Sequence, residues 1–522
     1  MEFKTEALEF LDIRLIDGDR GKNYPKSHDL SSDGDCLFLS AKNVTRNGFA
    51  FSEKMFITKE KDAQLRAGKV QNGDIVVTTR GTVGNIAFYD ETVPFPDVRI
   101  NSGMMIFRAD LKRWNRKFLY FLMTSEYIKQ QIDSLTSGSA VPQLPAKDLK
   151  KFQLPCIPIN TQNAISEQIG AITDKINLNN RTNQTLEQMA QALFKSWFVD
   201  FDPVFDNLLA SVDFNLENLE TSLPDELKQK AQRRLAALNS LENAAEIKAS
   251  LSALAHELQA LSQTKEATQP AVQAAETPVK ANLNANPNIL AQHSNTHSHF
   301  PNEFEHNEQL GWIPKDWEAS KLKEFGKIIT GKTPPKKIDD AFDLEGKGVP
   351  FITPSDVEGD VFTVNAIRHL TESGVGSVKN NIVDAESVCV TCIGSQMGKT
   401  TIAPDKSVTN QQLNSIVLGK KYFRNYIFLN LRMRREELFN LGSSGSTMPI
   451  LNKTSFENLS VLKPNESSLK AFDDITESCL AKILLNSQNN TKLTTMRDTL
   501  LPKLISGELQ IPDVTIDKEI VD

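Results

Sequence analysis

The sequence predicts a mixed α+β protein. Two similar α/β domains are joined by two long antiparallel coiled-coil helices, an internal repeat with pseudo-two-fold symmetry. Three observations carry this. Ser137-Gly138-Ser139-Ala140-Val141-Pro142 matches Ser444-Gly445-Ser446-Thr447-Met448-Pro449 at an offset of 449 − 142 = 307. The same offset places Ile176 on Ile483, Asn183 on Asn490, Leu186 on Leu493 and Met189 on Met496 without a gap. A period this long marks a duplicated domain-plus-helix unit rather than a solenoid. Each matching stretch also carries a heptad apolar stripe, and each is preceded by short β-rich runs.

The chain divides as follows: a first module over 1–158, a first helix over 159–200, an insertion over 201–305, a second module over 306–465, a second helix over 466–512 and a tail over 513–522. In the first module Leu37-Phe38-Leu39 and Asp74 to Thr79 read as strands. Gly81-Thr82-Val83-Gly84 reads as a turn between strands, and Lys117 to Ile132 has helical spacing. The second module repeats this with small gaps. Leu39 and Val44 match Ile352 and Val357, Asn101 matches Asn410, and Gly394 to Gly398 is the glycine turn with one extra residue.

In the first helix Ile165, Ile169, Ile172, Ile176, Asn179, Asn183, Leu186, Ala190, Leu193 and Trp197 follow a 4-3 spacing, a sustained heptad seam. The second helix places Phe472, Cys479, Ile483, Asn486, Asn490, Leu493 and Leu500 on its seam. Neither helix can bury its stripe alone, so the two should pack on each other. Asparagines at neighbouring seam positions weaken such a pair but fix its register, because a slipped pairing buries unpaired amides. Within the insertion, Leu223 to Leu261 is rich in Ala, Leu, Glu and Lys and should be helical, with Pro224 in its first turn. Ser262 to His299 turns to Ala, Gln, Thr, Pro and Asn and reads as linker.

Composition excludes several classes. There is no apolar run long enough to span a bilayer and no basic-then-apolar leader, so a membrane protein is not expected. Five scattered cysteines fit a reducing cytoplasm better than a disulfide framework. The net charge of −7 does not advertise nucleic acid, although charge on one face is what matters.

The candidate catalytic motifs have simpler explanations. Gly394-Ser395-Gln396-Met397-Gly398-Lys399-Thr400 is one residue short of a phosphate loop, and its repeat partner has no lysine. Cys389 and Cys392 lie in a strand pattern, where residues three apart face opposite sides, and a zinc site would need a second pair. His293, His297, His299 and His306 read as a solvated tract beside the linker. The carboxylates of Pro224-Asp225-Glu226-Leu227-Lys228 sit where a helix start favours them anyway. No catalytic residue, resident cofactor or metal ligand is expected.

The loops do carry side chains suited to DNA: cations for phosphates, and Arg, Asn and Gln for base edges. In the first module these are Lys22, Lys26, Lys42, Asn43, Arg46, Thr79, Arg80, Arg99, Asn101, Ser137, Ser139 and Gln143. In the second they are Lys332, Lys336, Lys337, Ser355, Arg368, Lys379, Ser395, Gln396, Lys399, Asn410, Gln411, Ser444 and Ser446.

With these residues in view, the chain resembles the specificity subunit of a type I restriction-modification enzyme over nearly its whole length. The resemblance rests on Gly73-Asp74-Ile75-Val76-Val77-Thr78-Thr79-Arg80-Gly81-Thr82-Val83-Gly84, on Phe194-Lys195-Ser196-Trp197-Phe198-Val199-Asp200-Phe201-Asp202-Pro203, and on the ending Leu500-Leu501-Pro502-Lys503-Leu504-Ile505-Ser506-Gly507-Glu508-Leu509. It implies two target recognition domains, each reading half of a gapped double-stranded DNA site, with the helices as the ruler for the gap. It also implies docking of two methyltransferase subunits, which bind S-adenosylmethionine and methylate adenine. Two restriction/translocase subunits using ATP and Mg would join them. The insertion is longer than the resemblance requires, and Gln396 and Met397 depart from Gly-Thr-Val-Gly. Two other readings stand beside this one: an assembly scaffold that does not bind DNA, and a self-contained DNA-modifying enzyme.

Overall fold

The computed structural model describes residues 3–45, 48–137, 142–219, 223–266, 295–443 and 449–511. Arg46, Ser139, His293, Ser444, Ser446 and the tail over 513–522 lie outside the described residues. The chain forms two compact units. The first combines Met1–Leu178 with Asn490–Asp522, and the second is Asn179–Asn489.

In the first unit a four-stranded antiparallel sheet has the order Ile13–Asp17, Met104–Ala109, Ile75–Thr78, Ile86–Phe88. The second unit repeats that order with Gly326–Thr330, Leu413–Leu418, Val388–Thr391 and Thr400–Ile402. Both units also hold a short parallel pair. Leu37 and Phe38 lie beside Val98 and Arg99 in the first, and Phe351 and Ile352 beside Val408 and Thr409 in the second. The central strands, Ile-Val-Val-Thr and Val-Cys-Val-Thr, are buried throughout, as runs rich in β-branched residues and flanked by a strand on each side should be.

The long helices run over Ile159–Phe198 and Glu466–Ser506, 40 and 41 residues, starting where the sequence places them and ending two and six residues before the expected bounds. In the first unit Ile165 and Ile169 are fully buried in one cluster with Leu501, Leu504 and Ile505. In the second, Asn183 meets Asn486, and Trp197 and Phe198 meet Phe472. In the second unit the residue number on one helix rises from Asn183 to Phe198 as that on the other falls from Asn486 to Phe472, so the pairing there is antiparallel. Burial follows the heptad: Ile172, Ile176, Asn179, Leu186, Leu193, Cys479, Ile483, Asn490, Leu493 and Leu500 are all buried or half-buried, while Leu178 and Met189 between them are exposed. Thr476 and Arg497 complete the seam at positions the apolar pattern leaves blank. The second helix stops at Gly507, whose φ of +77° supplies the left-handed residue that ends a helix.

The Phe194 to Pro203 stretch proves to be an aromatic core. Phe198 packs edge-on to Tyr426 at 4.9 Å and to Phe472 at 5.0 Å, and Trp197 packs on Phe300 at 4.9 Å. Such pairs add roughly 0.5–1.5 kcal/mol each beyond the area they bury. Helices Asp202–Ala210, Asp225–Asn239 and Ala244–Glu266 follow, so the expected continuous helix breaks at 240–243 and Pro224 stands at the cap instead of inside the first turn. Asp206 ties this segment together. Its carboxylate takes two 2.7 Å hydrogen bonds from Arg234 and lies 3.1 Å from His297 Nε2. His297 is therefore buried, which corrects the expectation of a solvated tract, whereas His306 is exposed against Trp312.

Candidate nucleic-acid interface

Each unit zips three loops together at one end of its main sheet. In the first, Thr79 N donates to Gly103 O at 2.8 Å, Leu144 N to Thr79 O at 2.9 Å and Gly81 N to Pro142 O at 3.1 Å. In the second, Cys392 N donates to Gln412 O at 2.7 Å, Leu451 N to Cys392 O at 2.8 Å and Gly394 N to Pro449 O at 2.9 Å. The residues differ but the backbone bonds correspond one for one.

The glycine turns close in the same way. Thr78 N donates to Asn85 O, and Asn85 N returns a bond to the Thr78 hydroxyl. Thr391 and Lys399 repeat this around one more residue. Gly81, Gly84, Gly394 and Gly398 all have φ between +77° and +89°, where a Cβ is unfavourable. Gly398 leads into strand Thr400–Ile402, whereas a phosphate loop opens a helix. Ser395 and Gln396 are thus presented by a turn between strands.

Asn101 and Asn410 are matched as well. Asn101 Oδ1 accepts from Gly103 N at 2.9 Å, and Asn410 Oδ1 from Gln412 N at 3.0 Å. Asn101 is half-buried and Asn410 buried, so both shape the turn more than they project from it.

On these platforms Arg80, Ser137 and Gln143 are exposed in the first unit, and Lys332, Ser395, Gln396 and Gln411 in the second, with Lys399 half-buried. Arg20, absent from the sequence reading, joins the first platform by donating to Ser102 O at 3.2 Å. No sequence signal marks it; only the register that sets Asp17 beside Met105 brings it there. In the second unit Arg368 is exposed and stacks over Phe342 and Phe351 at 5.2 and 5.1 Å, and Ser355 and Lys336 are exposed. Lys22 and Lys42 are exposed, the latter 2.7 Å from Glu53.

Besides Asn410, three expected surface residues turn inward. Arg99 is 5% exposed; its Nε lies 2.7 Å from Asp62 Oδ1 and its other nitrogens meet the Ala67 and Asp62 carbonyls. Burial pushes the Asp62 carboxyl up, but Lys69 and Arg99 outweigh it and hold it below its ordinary range. Asn43 is 2% exposed and donates to the Ala50 and Glu53 carbonyls. Thr79 is buried in the loop zipper itself. Hydrogen bonds already made inside the fold leave Arg99 and Asn43 no reach to a phosphate or base.

Burial pushes the Cys389 thiol up to about 11 and the Cys392 thiol up to about 12. The two enter different hydrophobic clusters, as opposite faces of a strand require. Among the described residues no group of His, Cys, Asp and Glu could hold a metal, and no helix is long and apolar enough to cross a membrane.

The sequence matches the type I restriction modification DNA specificity domain twice, over residues 9–188 and 314–495. The chain belongs to that family. The specificity subunit of the type I restriction enzyme HindI from Haemophilus influenzae is 30% identical over 505 residues, covering 94% of this chain and 98% of its own length. The MjaIX specificity subunit of Methanocaldococcus jannaschii is 20% identical over 494 residues, covering 92% and 88%. The crystal structure of a type I restriction-modification S subunit from M. genitalium aligns with a TM-score of 0.48 at 12% identity, covering 99% of this chain and 97% of its own. This specificity subunit supplies DNA specificity to a type I restriction-modification system, and catalysis lies in partner subunits. The two family matches cover the two loop platforms, so the repeat read from the sequence is a repeat of the specificity domain.

Proposed function

We propose that this specificity subunit reads a bipartite, gapped site in double-stranded DNA, one half with each loop platform, while its long helices set the unread gap. The observation that carries this reading is the duplicated three-loop zipper, with one backbone pattern and different exposed side chains in each copy. A common scaffold with divergent polar tips suits two different half-sites. Arg80, Arg20, Ser137 and Gln143 would read or clamp the first, and Gln396, Ser395, Lys332, Lys336, Lys399 and Arg368 the second. Two methyltransferase subunits, carrying S-adenosylmethionine, would dock on the helices. Exposed Leu178 and Met189 of the first helix recur as exposed Leu485 and Met496 of the second, which favours two copies of one partner. Two restriction/translocase subunits using ATP and Mg would complete a cytoplasmic assembly.

The test is a genome-wide map of methylated adenine with and without the gene. Loss of one gapped, two-part motif is expected. An unchanged map, together with no sequence-selective DNA binding by the purified complex, would refute the reading.

A further inference from the structure

Arg432 lies between the first long helix and the exit of the second module's glycine turn. This side chain, 16% exposed, leaves the C-terminal end of helix Arg424–Met433 over the Phe428 ring. Its Nη1 donates to Thr400 O at 3.0 Å and Asp360 O at 3.3 Å, and its Nη2 to Gly359 O. The fork is completed by Glu187 of the first long helix at 2.7 Å, itself held by Gln191 at 2.8 Å. Thr400 is the second residue after Gly398 and the first of the strand that the glycine turn leads into. Three residues beyond Arg432, the Arg435 carbonyl lies 2.7 Å from where a Cβ on Gly398 would stand. One planar, always-charged group therefore links the spacer helix to the exit of the turn that presents Ser395 and Gln396. A guanidinium fixes directions as well as charge, which an ammonium cannot. Burial raises the Glu187 carboxyl and the Arg432 charge opposes that rise. At the repeat offset Glu187 falls on neutral Thr494 (187 + 307 = 494), so the first module has no acid at the matching position.

We infer that Arg432, anchored by Glu187, is a positioning residue that fixes the second module's recognition turn against the spacer helix and so sharpens discrimination in one half-site only. This rests on the reading of that turn as a DNA reader. In terms of rate or affinity, a displaced turn loses base contacts while phosphate contacts persist, so errors rise more than binding falls.

The test uses the complex assembled with its methyltransferase partner, with duplexes carrying single-base changes in either half-site. Four variants are compared: Arg432→Lys, Glu187→Gln, Gln396→Ala on the turn itself, and Asn425→Ala, which removes a buried 3.0 Å bond to Thr476 in the same unit without touching the turn. Arg432→Lys should lower the cognate-to-changed methylation ratio about tenfold in the half-site that Gln396→Ala also affects, with the other half-site unmoved. Glu187→Gln should act in the same half-site and more weakly, and Asn425→Ala should lower thermal stability without moving either ratio. If Gln396→Ala acts and both Arg432→Lys and Glu187→Gln leave the ratio intact, or move it no more than Asn425→Ala, the positioning role is overturned. If Gln396→Ala moves neither ratio, the turn is not a reader and the inference falls with it.

Discussion

Substituting one seam asparagine should cost more than substituting both. Asn486 is 3% exposed and donates from Nδ2 to Asn183 Oδ1 at 2.8 Å. Asn183 in turn donates to Ser487 Oγ at 3.3 Å and, at the limit of range, to Ile483 O at 3.5 Å. Asn486→Leu leaves Asn183 Oδ1 desolvated, a loss of about 1–3 kcal/mol. Asn183 is only half-buried, so water relieves part of that loss and places the value near the lower half, about 1–2 kcal/mol. Adding Asn183→Leu removes the stranded amide and restores a plain apolar seam layer, worth about 1 kcal/mol or more per pair of buried side chains. The double variant should therefore be as stable as the parent, with a coupling energy of about 1–2 kcal/mol in a double-mutant cycle. Thermal unfolding followed by calorimetry reads the effect; for a body of ~150–250 residues, 1 kcal/mol moves the midpoint by about 2–4 °C. Two neutral single variants, or a double variant as unstable as the sum of its parts, would refute the view that the amides form one satisfied pair. Stability regained this way should come with looser register, seen as a broader range of gap lengths accepted in methylation.

Other outcomes follow from the same structure. Burial pushes the Asp473 carboxyl up to about 6 from 3.8, against the pull of Arg424, and its Oδ1 is buried without a hydrogen-bond partner. Between those two values the folded state keeps a proton that the unfolded chain has released. The favourable term is thus complete below pH 3.8 and is lost as pH rises through about 6. Asp473→Asn should raise stability at pH 8 by about 1 kcal/mol after solvent screening and leave it unchanged near the acid limit, measured as thermal midpoint against pH. Arg99→Ala should destabilise the first unit by about 3 kcal/mol, because it leaves the half-buried Asp62 carboxylate with one partner fewer and the Ala67 and Asp62 carbonyls without their donor. Arg80→Ala should leave stability within about 0.5 kcal/mol and reduce the salt dependence of DNA binding by about one phosphate contact; equal thermal shifts for the two would contradict their assigned places. Inserting one helical turn in both long helices should lengthen the unread gap without altering either half-site, checked by mapping methylation; altered half-sites would argue against a ruler.

The features readable in the sequence were those set by local periodicity or by the repeat. The heptad seam was legible because 4-3 spacing survives at Ile165, Ile169, Ile172 and Ile176 whatever surrounds it. The glycine turns were legible because left-handed backbone leaves few alternatives to Gly81, Gly84, Gly394 and Gly398. What escaped depended on contacts distant in sequence. Nothing near Arg99 announces that a parallel two-residue strand will carry it to Asp62, 37 residues earlier. His297 sits in linker-like composition, yet it meets Asp206 across 91 residues. Thr476 and Arg497 hold seam positions that a hydrophobic pattern cannot show, since one is a small alcohol and the other a cation.

The partition of the long helices bears on the order in which the molecule can be made. The first unit's cluster includes Leu501, Leu504 and Ile505, from the far end of the chain, whereas the second unit is the contiguous stretch Asn179–Asn489. During synthesis the second unit can therefore close first. The amino-terminal unit, though translated earlier, waits to complete the cluster of Ile165 and Ile169 for more than 300 further residues, roughly 15–65 s at ~5–20 residues per second. That interval inverts the usual amino-to-carboxyl order of domain completion. It leaves a nascent apolar stripe for chaperones, or for a partner subunit arriving during translation, to occupy.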